Sequence, residues 1–107
     1  MAGWIRPVSS ERRAEVERLS AKVIGRVQGV GFRWWVRSAA ERLGLTGWVM
    51  NAADERSVEL VAEGPARSLD ELERLLRLGP AGAVVDRVEA SRSPASGSYG
   101  RFQITRP

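Results

Sequence analysis

The spacing of apolar residues changes along this chain from every second position to every third or fourth and back, twice over. Alternation of apolar and polar residues is typical of a half-buried strand, whereas three- and four-residue spacing predicts one face of a helix. The pattern therefore predicts a strand, a helix, two strands, a second helix and a strand, in that order. A short apolar pair near the end adds one further strand.

The first half of the chain contains the first four predicted elements. We expect a strand from Leu19 to Ile24, a helix from about Phe32 that Gly44 ends, and a second strand over Leu45–Asn51. A hairpin loop over residues 52–57 leads to a third strand over residues 58–63. The apolar stripe of the first helix consists of Phe32, Trp35, Val36, Ala39, Ala40 and Leu43.

The second half begins with a strand break at Gly64-Pro65. The segment Ser68–Glu71 has the form of a capping box, which predicts that the second helix begins there, and Gly79-Pro80 predicts its end. Residues 83–90 predict a strand that is irregular, because two of its valines are out of strict alternation. The second helix has its stripe at Leu69, Leu72, Leu75 and Leu76, and the final short strand contains Phe102 and Ile104.

This order of elements is the split βαβ pattern of an α+β, ferredoxin-like βαββαβ sandwich. We expect an antiparallel sheet with two helices on one face and a short extra C-terminal strand. At 107 residues the chain is long enough for one core only. We place this domain at residues 18–107 and regard residues 1–17 as a flexible N-terminal extension, in which the charged stretch over residues 11–17 is compatible with a turn or two of helix.

Composition excludes several kinds of chemistry. The chain has no histidine and no cysteine, so it has no imidazole base, no thiolate nucleophile and no zinc site of the usual nitrogen and sulfur type. The absence of cysteine fits a cytoplasmic protein. A net charge of +4 favours anionic partners, although the basic residues form no block. No apolar run approaches the roughly 18 residues that span a bilayer, so no membrane association is expected.

A glycine-rich segment, Gly25–Arg33, joins the first strand to the first helix. Glycines allow backbone N–H groups to turn towards one point, and a helix that begins near Phe32 would aim its free N–H groups at the same point. Arg33 would add a planar fork of donors that suits two oxygens of one phosphate. The segment therefore predicts a phosphate-binding loop.

Each of these residues also has an ordinary structural interpretation. A glycine loop alone is more often a turn, Arg33 at a helix start would usually be a solvated charge, and Asn51 before a loop is a common turn residue. Arg33 opposes the helix dipole, however, which suggests that an anion lies there. Adjacent Asp54 and Glu55 are typical of a solvated turn rather than a metal site.

Two segments together resemble the acylphosphatases: Gly25–Arg33 and, about fifteen residues later, Thr46–Asn51. The resemblance covers roughly residues 19–106 and implies hydrolysis of acylphosphates to a carboxylate and inorganic phosphate, without metal or other cofactor. It implies that Arg33 binds the phosphoryl group and that Asn51 holds the attacking water. The backbone amides that would surround the phosphate oxygens belong to Gln28, Gly29, Val30, Gly31 and Phe32.

The chain departs from the family pattern at two positions. Met50 stands where the family often has a basic residue, and Glu55 stands where a glycine commonly follows the loop aspartate. These changes bear on the geometry of the hairpin loop. We expect a monomer that acts on a small acylphosphate and binds no nucleic acid.

Two other functions fit parts of the sequence. Ferredoxin-like domains with basic character also bind RNA, but the expected aromatic motif is missing from the third predicted strand, which contains two glutamates. The second is an accessory phosphate-binding or carbamoyl-phosphate-processing domain. Tight, salt-sensitive RNA binding without hydrolysis would favour the first of these alternatives.

Overall fold

The computed structural model describes residues 15–107, and its secondary structure follows the predicted order. A short final strand completes the predicted ferredoxin-like α+β arrangement, which is thereby confirmed. In chain order the elements are β1 (Val16–Arg26), α1 (Phe32–Arg42), β2 (Thr46–Asn51), β3 (Ser57–Pro65), α2 (Ala66–Leu78), β4 (Val84–Pro94) and β5 (Gln103–Ile104).

The five strands form one sheet in the order β4-β1-β3-β2-β5. β1 pairs antiparallel with β3 and β4, and β2 pairs antiparallel with β3. The short β5 pairs in parallel with β2, so the sheet is mixed at this edge. The N–H of Thr105 continues this pairing by donating to the carbonyl of Val49 at 2.9 Å. The pairing of β5 brings the C-terminal segment beside the strand that ends at Asn51.

One core lies between the sheet and the two helices. Alternate positions of the strands supply its sheet side, and the predicted helical stripes supply the other, as period-two and period-3.6 patterns require. Each fully buried leucine contributes about 1.5–3 kcal/mol by leaving water. The fully buried larger side chains are Leu19, Val23, Val27, Phe32, Val36, Val49, Val58, Leu60, Leu69, Leu72, Leu76 and Phe102.

Three strands extend beyond their predicted ends. β1 begins at Val16, β3 continues through Gly64-Pro65, which we expected to break it, and β4 continues to Pro94. The reason is backbone pairing, since Glu17 lies opposite both Gly64 and Pro94. Such pairing leaves no trace in the alternation of side chains. The last two residues of the expected extension, Val16 and Glu17, belong to β1, so the helical turn that the charged stretch also allowed does not include them. Residues 1–14 of the extension lie outside the described part of the chain.

The predicted capping box does not begin α2. The helix begins at Ala66, directly after Pro65, and no side chain among the described residues caps it. The N–H of Ala66 donates instead to the carbonyl of Glu15 at 3.0 Å. β3 therefore leads directly into α2, and the carbonyl of the residue before β1 accepts the hydrogen bond that a capping serine would otherwise accept.

The predicted irregularity of β4 is a β-bulge. The register shifts between Ile24, which lies opposite Arg87, and Gly25, which lies opposite Val85. The extra residue on β4 lets Val85 and Val88 both contact the core despite their odd spacing. Across residues 15–107, no helix has the length and apolar character needed to cross a membrane.

Candidate functional site

The glycine segment turns sharply between β1 and α1. Gly29 and Gly31 have φ angles of 77° and 76°, in the left-handed region that favours glycine. A Cβ at either position would meet nothing within 4 Å, so glycine is required for the backbone conformation rather than for space. Left-handed residues in such a turn direct successive N–H groups to one side, where an anion can bind.

The N-terminus of α1 is open. Gly31 is its N-cap, no side chain of residues 15–107 caps the helix, and its first turn contains no acidic residue. The first intrahelical bond runs from the N–H of Trp35 to the carbonyl of Gly31 at 3.0 Å. The N–H groups of Phe32, Arg33 and Trp34 are therefore left for an external acceptor, at the positive end of the helix dipole.

Arg33 lies in the first turn of α1 and is half-buried. Among residues 15–107 no carboxylate pairs with its guanidinium. In contrast, Arg18 and Arg92 each pair with carboxylates, at 2.8 Å from Glu63 and 2.9 Å from Asp70. An unpaired, half-buried cation beside an open helix N-terminus favours an anion as its partner.

Asn51 is the last residue of β2. Its Oδ1 is buried and accepts no hydrogen bond, the only such side-chain atom in the described part of the chain. Buried polar atoms are nearly always partnered by protein or ordered water, so an isolated amide oxygen favours a small donor as its partner. A water molecule is the smallest donor that fits this requirement.

Gln28 ties the glycine segment to the β2–β3 hairpin. Its Nε2 donates to the carbonyl of Ala52 at 3.1 Å and to that of Ser57 at 2.9 Å. Ala52 directly follows Asn51, so this side chain holds the amide loop against the end of β2. The side chain of Gln28 thus connects the two loops, and only its backbone N–H is left for an anion.

The hairpin is organised by Asp54. Its carboxylate accepts hydrogen bonds from the N–H of Arg56 at 2.9 Å and from the hydroxyl of buried Ser57 at 2.9 Å. The bond from the Arg56 N–H, with that of Ser57 and the charge of Lys22, holds the pKa of Asp54 below its usual value. Asp54 is therefore a turn anchor. No cluster of three or more acidic side chains that could hold a metal ion occurs within residues 15–107.

The two tryptophans of α1 have different environments, and Trp35 lies on the core side of the helix, as the sequence predicted. Trp35 packs against the core and lies 5.5 Å from Phe32, ring centre to ring centre. Trp34 is 62% exposed, and the guanidinium of Arg37 lies 5.4 Å from its ring centre. Trp34 thus faces solvent beside Arg33.

The structure brings the predicted segments together through the sheet. Gln28 joins the amide loop to the residue after Asn51, and β5 lies beside β2. A groove next to Arg33 is formed by α1 and the segment around β5, including Arg101 and Arg106. These two arginines escaped the sequence analysis because nothing in their local pattern connects them with Arg33.

Comparison with known proteins decides the family. The family model "Acylphosphatase" matches residues 19–104. The chain belongs to the acylphosphatase family. It is 50% identical to an acylphosphatase of Nocardia farcinica over 86 residues, which cover 80% of this chain and 85% of that relative.

Solved acylphosphatase structures have the same fold. The structure from Bacillus subtilis has a TM-score of 0.79 and 35% identity, and the match covers 83% of this chain and 98% of that one. The structure from Coxiella burnetii has a TM-score of 0.79 and 36% identity, with 90% and 99% covered. These relatives support an enzyme of the acylphosphatase kind and do not favour the RNA-binding or accessory-domain alternatives.

Proposed function

We propose that this acylphosphatase-family chain hydrolyses acylphosphates by direct attack of water on phosphorus, with Arg33 and Asn51 as catalytic residues. The water oxygen forms a bond to phosphorus while the bond between phosphorus and the acyl oxygen breaks. The electron pair leaves with the carboxylate, and both protons of the water end on inorganic phosphate. The observation that carries the proposal is the buried, unpartnered Oδ1 of Asn51, held beside an open amide loop.

The amide loop and Arg33 would bind the phosphoryl group. The N–H groups of residues 28–32 surround the phosphate oxygens, and the guanidinium of Arg33 contacts two of them. Phosphoryl transfer needs positioning and neutralisation of charge more than covalent help from the protein. Donors fixed by the backbone supply that neutralisation without reorganising during the reaction.

Asn51 would position the water. Its amide oxygen accepts one hydrogen bond from the water and leaves the water's lone pair directed at phosphorus. An amide is too weak a base to remove the proton. The proton therefore passes to an oxygen of the substrate's own phosphoryl group.

The leaving group explains why no general acid is needed. A carboxylate is a weak base and departs without protonation, which suits a chain with no histidine. The same argument makes a metal ion unnecessary as a Lewis acid on the leaving oxygen. We accordingly propose a reaction without metal or other cofactor.

The proposal is tested by measuring benzoyl phosphate hydrolysis with a strong chelator present. Wild type should remain active, and Arg33→Ala should lose about 10²–10³-fold in kcat/KM, the usual cost of removing a transition-state donor. Arg67→Ala, which removes an exposed arginine of α2, is the control and should stay near wild type. An inactive wild type, or an Arg33→Ala protein that keeps most of its kcat/KM, would overturn the proposal.

The wider setting is also proposed. We infer that the protein is a monomer and that it binds no nucleic acid. We also infer a cytoplasmic location, because a chain without cysteine does not need an oxidising compartment. The domain would span residues 18–107, after an N-terminal extension of residues 1–17. The last two residues of that extension already pair in β1.

A further inference from the structure

A groove lined by positively charged side chains runs from Arg33 along the side of α1. Its cavity volume is about 520 Å³, within the roughly 300–1,000 Å³ common for small-molecule sites. Four arginines line it, and no acidic side chain does so among the described residues. Its charged lining consists of Arg33, Arg37, Arg101 and Arg106.

Three of these arginines have no ion-pair partner in the described part of the chain. Among residues 15–107, no carboxylate pairs with Arg33, Arg101 or Arg106, while Arg37 lies 3.4 Å from Glu41. Elsewhere, Arg74 and Arg77 of α2 lie 2.6 and 3.0 Å from glutamate oxygens. The groove thus has a net positive charge that no carboxylate of the described residues neutralises.

The pairing of β5 creates this arrangement. Arg101 and Arg106 flank a strand that lies parallel to β2, and this pairing holds them opposite the first turns of α1. Both also border a second groove on the side of Trp48 and Met50. Like charges placed together repel each other, and a bound anion relieves that repulsion.

We infer that this groove, hereafter the arginine groove, binds a second anionic group on the acyl part of the substrate. The inference rests on the proposed function, because Arg33 then belongs both to the phosphoryl site and to the groove. An acyl group attached to a phosphate at Arg33 extends into the groove, where Arg101 and Arg106 meet a carboxylate or phosphate. The favoured substrates are acylphosphates that carry a second negative charge, rather than acetyl phosphate or other neutral acyl groups.

Two matched benzoyl phosphates test the inference. Their rigid ring keeps a second carboxylate from attacking the substrate's own acyl group. Wild type should be assayed with 4-carboxybenzoyl phosphate, which carries the second anion, and with 4-methylbenzoyl phosphate, which has a neutral group of similar size. The variants are Arg101→Gln/Arg106→Gln and, as a charge-matched control, Arg42→Gln/Arg67→Gln, whose exposed arginines lie outside the groove.

Loss of two exposed ion pairs should lower kcat/KM for 4-carboxybenzoyl phosphate about fivefold in Arg101→Gln/Arg106→Gln. The value for 4-methylbenzoyl phosphate should change less than about twofold, which also shows that the variant is folded. The control should keep the wild-type ratio between the two substrates. Each comparison uses one substrate in two proteins, so the electronic effect of the ring substituent cancels.

The outcomes separate the inference from the proposed function. If wild type hydrolyses both substrates, and both double variants keep its substrate ratio, the arginine groove inference is wrong while the proposed function stands. An equal loss in the control and in Arg101→Gln/Arg106→Gln would also overturn it, because net charge would then be the cause. If wild type hydrolyses neither substrate, the proposed function fails and the inference fails with it.

Discussion

Asn51 ends a regular strand, and its buried amide oxygen has no hydrogen-bond partner among residues 15–107. Leaving a buried acceptor unpaired costs about 1–3 kcal/mol. A water that donates to this oxygen removes the cost and is fixed in position by doing so. The same water would be the nucleophile.

Replacing Asn51 should affect the chemical step more than binding. In Asn51→Ala the water is no longer held, so we expect kcat for benzoyl phosphate to fall about 100-fold or more. The inhibition constant of inorganic phosphate should change less than about threefold, since the amide loop and Arg33 remain.

Steady-state kinetics and phosphate inhibition, measured on the same preparations, check this separation. The conservative variant Asn51→Ser retains a short acceptor and should lie between wild type and Asn51→Ala. A variant that binds phosphate much more weakly while keeping kcat would contradict the water-positioning role.

At the scale of elements, the β2–β3 hairpin fixes the end of β2 and therefore Asn51. Asp54 and Ser57 form its internal bonds, and Gln28 fastens it to the amide loop. Glu55 is the only non-glycine residue in the described chain with a positive φ, at 62°. Glu55 therefore lies in the left-handed region that favours glycine, the residue type that the resemblance led us to expect at this position.

Glu55→Gly should stabilise the protein. A side chain in the left-handed region destabilises the folded state by about 1–2 kcal/mol. Glycine removes this strain but costs about 0.5–1 kcal/mol, because it makes the unfolded chain more flexible. The net gain is about 0.5–1 kcal/mol, or an increase in Tm of about 2–6 °C.

Calorimetry on Glu55→Gly and Glu55→Ala separates backbone strain from charge. Glu55→Ala removes the same carboxylate but keeps a Cβ, so its Tm should stay within about a degree of wild type. An equal gain in both variants would show that the carboxylate, not the backbone, is responsible.

At the scale of the whole molecule, Glu63 fastens the C-terminal segment to the sheet. Its carboxylate is only 3% exposed and accepts hydrogen bonds from the N–H groups of Ser96 at 2.9 Å and Gly97 at 3.0 Å. Arg18 donates to it at 2.8 Å and lies 5.6 Å from the ring centre of Tyr99. This contact holds the loop that leads to Arg101 and β5.

The contact makes stability depend on pH. Burial alone would raise the pKa of Glu63, but the Ser96 N–H, the Arg18 guanidinium and the Gly97 N–H lower it from 4.5 to about 2. Because the folded pKa is the lower one, the stabilisation is complete above about pH 4.5 and declines as the pH falls towards 2. Urea denaturation at several pH values should show this decline in wild type.

Glu63→Gln should remove that part of the pH dependence. The variant loses about 1–3 kcal/mol near pH 7, because a neutral amide cannot accept all of these bonds, and its stability should fall less between pH 4.5 and 2.5. Glu59→Gln, on the same face of β3, is the control and should keep the wild-type slope. An unchanged slope in Glu63→Gln would contradict the assignment.

The sequence predicted features that depend on local pattern. The helical stripes at Phe32 and Leu69 and the irregularity of β4 follow from the spacing of apolar residues, and the turn before Arg33 follows from its glycines. Arg33 and Asn51 were proposed as site residues because two separate segments resembled one family, and their roles stay predictions.

What the sequence could not predict depends on pairing between distant segments. The continuation of β3 through Gly64 follows from its pairing with Glu17 of β1, and the start of α2 follows from a hydrogen bond to Glu15. Glu63 reaches Ser96 across 33 positions, and Arg101 reaches the groove because β5 pairs with β2. Such contacts have no local periodicity, so residue spacing carries no signal for them.

The central claim, that a water held at the amide loop attacks phosphorus, is tested most directly by isotope labelling. Benzoyl phosphate is hydrolysed in H₂¹⁸O with enzyme in excess and chelator present, and both products are analysed by mass spectrometry. The account predicts one ¹⁸O atom in inorganic phosphate and none in benzoate. Label in benzoate would mean that water attacks the carbonyl carbon, and would contradict the roles given to Arg33 and Asn51.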